Sequence, residues 1–169
     1  MTTTTHVSSA CIITVLVIKS GIGTFEAFLA AACAACVAHL ILDIIPHGFI
    51  AAPDTIFKKW LPTLLELGPG LIILVYAVYV FGNPLLFLWA TGFGILPDIV
   101  STLIWKRQEL FSAIPGFALI HRAHRIVHWF EKDNHDGTVS YMFPSPPLLA
   151  AETVLVISLV FILFMGFAA

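Results

Sequence analysis

Charge is what this chain has least of. Asp, Glu, Lys and Arg make up 11% of its 169 residues, where a soluble domain carries about a quarter. With 59% hydrophobic residues and a mean hydropathy of +0.99, the balance belongs in lipid. Eight basic against ten acidic residues leave a formal net charge of −2. There is no basic excess to attract phosphates, so nucleic acid is not an expected partner and membrane lipid is. Cysteine is also scarce. Cys11, Cys33 and Cys36 all lie in apolar runs, and an odd number describes no disulfide framework. Cys33-Ala-Ala-Cys36 has redox-motif spacing, but in an alanine-rich helical stretch it reads as small packing residues. No basic n-region precedes the first apolar stretch, which is therefore expected to be retained.

The length suits one helical domain over 1–169. A spanning helix needs about 20 mostly apolar residues. Five segments qualify: Val7–Ile18, Phe25–Ile45, Leu61–Phe81, Leu85–Trp105 and Leu148–Phe167. The first is the shortest, and it leads through Lys19-Ser-Gly-Ile-Gly into the second as a helical hairpin. Phe81-Gly-Asn-Pro84 is a second turn signal, since Asn tolerates left-handed geometry and Pro pre-sets the next helix. Leu110–Phe130 mixes three His and two Arg with apolar residues and reads as an amphipathic interfacial helix. The expected fold is thus all-α: an integral membrane bundle of about five transmembrane helices plus one amphipathic helix.

Basic residues set the orientation. Lys58 and Lys59, Lys106 and Arg107, and Arg122, Arg125 and Lys132 share one face of a five-span bundle, with Lys19 opposite. The positive-inside rule puts those clusters and the N-terminus in the cytoplasm of a multi-pass inner-membrane protein.

Histidines and acids gather near that face. His39, Asp43 and His47 are spaced four and four, so they fall within roughly 80° on one helix face. His121, His124 and His128 are spaced three and four and fall within roughly 60°. Asp98 follows Pro97 inside an apolar helix, a costly place for a carboxylate without a partner. His39 and Asp98 each precede the cytoplasmic end of their helix by eight residues, about 12 Å at roughly 1.5 Å per residue. His6, Glu66 and Glu152 lie at the same end of their segments. Such a set is costly near lipid unless a cation compensates it. The expected site is therefore a metal centre, with His6, His39, Asp43, His47, Asp98, His121, His124 and His128 as candidate ligands. Imidazole with carboxylate suits zinc first, then manganese or iron, and more than four candidates allow two ions.

The His39–His47 stripe, the Leu96-Pro97-Asp98 turn and the His121–His128 cluster resemble the small bacterial integral membrane proteins classed as membrane-bound metal-dependent hydrolases. The resemblance runs from His6 to Trp129. It implies His6, Asp98, His121 and His128 as metal ligands. The chain departs from the family pattern where Ile99 and Val100 follow Asp98, and where His121-Arg-Ala-His124 replaces His-Arg-Gly.

The expected function is a membrane-embedded hydrolase acting at the cytoplasmic interface on a lipid-like ester or phosphoester. Arg122 and Arg125 are candidate phosphate-binding residues, although basic residues there also serve as plain headgroup anchors. Glu66 or Glu152 is the candidate general base. Two other classes are carried beside it. One is a non-enzymatic metal protein, either a carrier or a small subunit braced by its metal. The other is a di-iron membrane oxidoreductase, ranked lower because the adjacent His pairs of such enzymes are missing.

Overall fold

The computed structural model describes residues 3–45, 56–106, 111, 113–128, 131–133, 139–141 and 145–165. Six helices fall within them: α1 (Thr3–Ser20), α2 (Thr24–Asp43), α3 (Ile56–Phe81), α4 (Pro84–Lys106), α5 (Pro115–Val127) and α6 (Ser145–Met165). Two three-residue strands, β1 (Glu131–Asp133) and β2 (Val139–Tyr141), pair antiparallel with Glu131 opposite Tyr141. The sequence between them, Asn134 to Thr138, is polar. Runs of three residues are too brief to show an alternating pattern.

Among the described residues three helices are long and apolar enough to cross a membrane: α1, α2 and the Pro84–Ser101 part of α4. Shorter apolar stretches, Leu67–Phe81 and Ala150–Ile162, lie within α3 and α6. Around the outside, Phe25, Ile72, Val75, Tyr79, Leu85, Val154, Ile157 and Phe161 are exposed. In water these would make a large sticky surface, whereas hydrocarbon solvates them without cost.

The shortest expected span is the centre of the bundle. α1 packs against α2, α3, α4 and α6, whereas α3 and α4 touch each other far less. Its low hydropathy comes from Thr4, Thr5, His6, Ser8 and Thr14, all of which are buried. Burial of these hydroxyls is possible because the helix supplies acceptors. Ser8 Oγ donates to the Thr4 carbonyl at 2.7 Å and Thr14 Oγ1 to the Ala10 carbonyl at 2.8 Å. On one side α1 meets α3 and α4 through Val7, Cys11, Val15, Ile73, Leu74, Ala77 and Phe87. On the other, Ala10, Ala27, Ala31, Ala35 and Ala90 let α1, α2 and α4 approach closely, as small residues do in membrane bundles.

The turns follow from local chemistry. Gly21 between α1 and α2 takes φ +66°, and Gly82 and Asn83 between α3 and α4 take +69° and +54°. Asn83 also caps α4, its Oδ1 accepting the Leu86 N–H at 3.3 Å. α5 is shorter than its expected 110–130 span. Ile114 is extended and Pro115 occupies the first helical position, so the helix begins there.

Candidate metal centre

α2 carries His39 and Asp43 one turn apart, and both are fully buried. Their ring and carboxylate meet directly, with Nε2 of His39 2.8 Å from Oδ2 of Asp43. α5 packs against α2 and α4. It brings His124 Nε2 to 3.3 Å from Asp43 Oδ2 and 3.0 Å from Asp98 Oδ1 on α4. His39 Nε2 is 3.6 Å from the same Asp98 oxygen. His39, Asp43, Asp98 and His124 thus offer four ligand atoms within 4.8 Å of one another, a group that could hold a metal ion.

Two more imidazoles flank it. His128 Nε2 lies 3.1 Å from Asp43 Oδ2. His6 on α1 puts its Nε2 3.3 Å from Asp43 Oδ1 and stacks on His39, with ring centroids 3.8 Å apart and planes at 25°. Asp43 is the hub: three imidazole nitrogens converge on one of its oxygens and a fourth faces the other.

The hydrogen-bond chemistry fits a cation. His39 Nδ1 is 2.6 Å from the Gly94 carbonyl oxygen, which can only accept, so Nδ1 carries the proton. In the neutral ring Nε2 is then a bare lone pair facing carboxylate oxygens at 2.8 and 3.6 Å. Lone pairs so placed repel unless a proton or a metal ion stands between them. Holding the distal nitrogen of a ligating histidine by a carbonyl is a recurrent feature of metal sites. The two carboxylates with neutral imidazoles carry two negative charges, which one divalent ion cancels. A charged pair in an apolar bundle requires that kind of compensation.

Ser101 supports the other side. Its Oγ lies 2.9 Å from His124 Nδ1 and 3.3 Å from His121 Nδ1. A hydroxyl that accepts from His124 and donates to His121 leaves His124 Nε2 free to ligate. Burial pushes the His124 imidazole down, but its hydrogen bonds to Asp43 and Asp98 outweigh that, and the net shift is upward. Burial, followed by the Arg125 and His124 charges, holds His121 below its usual value.

Access is one-sided. His6, His39 and Asp43 are fully buried, whereas the Asp98 side chain is 41% exposed. Arg122 and Arg125 are exposed on α5, beside exposed Leu119 and Ile126.

Of the residues singled out by sequence, His6, His39, Asp43, Asp98, His124 and His128 come together. His121 shares Ser101 with His124, its Nδ1 3.3 Å from the Ser101 Oγ. Glu152 lies on α6, buried, and its Oε1 accepts a hydrogen bond from Thr5 Oγ1 at 2.9 Å. His47, Arg107, Trp129, and the side chains of Lys58, Lys59, Glu66, Lys106 and Lys132, lie outside the described residues. Gly94 and Ser101 were not singled out. The available signal was their spacing of four and three residues from Asp98, which puts all three on one helix face. No family model matches the chain, nor does any curated protein or solved structure.

Proposed function

We propose that this protein is a multi-pass membrane hydrolase whose metal centre, at the cytoplasmic interface, acts on an ester or phosphoester of a lipid headgroup. The observation that carries the reading is the convergence of His39, Asp43, Asp98 and His124 from three helices, with only Asp98 open to the outside. A bound divalent ion there would lower the pKa of a coordinated water toward neutrality and polarise a carbonyl or phosphoryl oxygen. Zinc is the first choice for imidazole with carboxylate, and manganese or iron are the alternatives.

The residues around the ion have separable tasks. Gly94 and Ser101 hold His39 and His124 by Nδ1, which would leave Nε2 of each ring to face a bound ion. Arg122 and Arg125 are placed on α5 to pair with phosphate oxygens at the headgroup level. Leu119 and Ile126 beside them suit the acyl boundary. The five-span topology, with the N-terminus and the centre cytoplasmic, is part of the proposal. It rests on the placement of Lys58, Lys59, Lys106, Arg122 and Arg125 at one end and Lys19 at the other.

Detergent-purified protein loaded with zinc or manganese, then offered phosphatidic acid and diacylglycerol in mixed micelles, tests the reading. Turnover should fall by at least about tenfold to a hundredfold in Asp98→Asn, in parallel with metal affinity. Full metal loading with no hydrolysis of either ester would contradict the hydrolase and leave a metal that braces the fold.

A further inference from the structure

We propose that the centre is binuclear, with Asp43 bridging two divalent ions and with His6 and His128 completing the second. The inference rests on the metal-centre reading above and deepens it. Six side chains surround one point, yet His39, Asp43, Asp98 and His124 already fill the four positions of a zinc ion. His6 and His128 remain, each within 3.3 Å of an Asp43 oxygen.

His6 is the independent observation. Its ring is fully buried, and neither ring nitrogen has a hydrogen-bond partner among the described residues. Buried imidazole nitrogens are ordinarily satisfied, and His6 Nε2, only 3.3 Å from Asp43 Oδ1, is placed to share an ion with that oxygen. Of the two oxygens of Asp43, Oδ1 faces His6, and Oδ2 faces His39, His124 and His128. A carboxylate used through both oxygens is the ordinary bridge of a two-metal site.

Spacing agrees. The ions of such a pair stand about 3.5–4 Å apart. His6 and His39 stack with centroids 3.8 Å apart, so two near-parallel rings can each present Nε2 to a different ion at that separation. Chemistry agrees as well. A zinc with four protein ligands must expand to take up water, whereas a second ion sharing Asp43 would offer open positions of its own, so that the pair could clamp the attacking and leaving oxygens of a displacement. Two divalent ions against two carboxylates leave an excess of two positive charges. A phosphate monoester dianion would cancel that excess, which favours a phosphate monoester over a carboxylic ester as the ligand of such a pair.

The test is zinc stoichiometry on the full-length, detergent-purified protein by elemental analysis after gel filtration, with manganese titration followed by electron paramagnetic resonance. The proposal expects two ions per chain, with the second manganese broadening the signal of the first through exchange coupling. One ion per chain at saturation overturns the binuclear centre and leaves the mononuclear reading standing. No ion at all overturns both. His6→Phe keeps the stacked ring but removes its nitrogens, so it should bind one ion, uncoupled. Two coupled ions in that variant would overturn the role of His6. If His6→Phe does not fold, His128→Phe carries the same comparison from α5, and wild-type stoichiometry decides by itself.

Discussion

The Nδ1 nitrogen of His39 lies 2.6 Å from the carbonyl oxygen of Gly94, across the crossing of α2 and α4. Pro97 has no N–H to give to the Phe93 carbonyl, which loosens the α4 ladder beside Gly94. Gly94 also lets the helices close. A Cβ built there would stand 3.3 Å from the Ala10 Cβ, 3.5 Å from the His6 carbonyl oxygen and 3.9 Å from the Ala35 Cβ. One backbone position therefore sets both how near α1, α2 and α4 come and which nitrogen of His39 faces Asp43.

Gly94→Val should damage stability and metal binding together. Overpacking a tight crossing costs about 1–3 kcal/mol, and displacing a carbonyl that orients a ligand costs about tenfold or more in metal affinity. Thermal unfolding in detergent and zinc competition with a chelator read the two effects. Wild-type values in both would show that the crossing does not depend on Gly94.

Much of this arrangement was legible beforehand, and the reasons are local. The four-residue step from His39 to Asp43 fixes their common face. The matched depth of His39 and Asp98 lets α2 and α4 meet there, and the structure brings them within 3.6 Å. Asn83 shows the left-handed geometry its type suggests. The centrality of α1 was not legible, because hydropathy scores its Thr and Ser as polar whereas carbonyls of the helix satisfy Ser8 and Thr14, and Glu152 of α6 satisfies Thr5. The roles of His121 and His124 were not separable either. Both lie on one stripe and both turn Nδ1 to Ser101 Oγ, and only the packing of α5 on α2 and α4 gives His124 Nε2 to Asp43 and Asp98.

The metal-free protein should show a pH dependence of opposite sign to the metal-loaded one. His124 is held above its ordinary value in the fold. Its contribution is therefore fully present below about pH 6.5 and lost as pH rises through the folded-state value. His121 is held below its ordinary value and acts in the other direction. The measurement is best made in a His121→Gln background. Hydrogen exchange in α5 of the metal-free variant should be slower, relative to its intrinsic rate, at pH 6 than at pH 8. With zinc bound the order should reverse, because protons compete with the metal for imidazole. Stronger protection of metal-free α5 at pH 8 would contradict the bonding assigned to His124.

Topology has its own test. With Cys11, Cys33 and Cys36 replaced by Ala, single cysteines at Lys58 and Lys106 should react only with a reagent supplied on the cytoplasmic side, and one at Asn83 only from outside. Opposite labelling of Lys58 and Lys106 would end the five-span arrangement.

The central claim is that His39, Asp43, Asp98 and His124 hold a metal ion, and metal content measures it most directly. Elemental analysis of the detergent-purified protein should find at least one zinc, manganese or iron ion per chain. Asp43→Asn keeps the size of the hub but removes its charge, so it should lower affinity by at least about ten- to a hundredfold in chelator competition. A wild-type protein that stays metal-free when zinc is supplied, or an Asp43→Asn variant that keeps its full metal content against the chelator, would contradict the account.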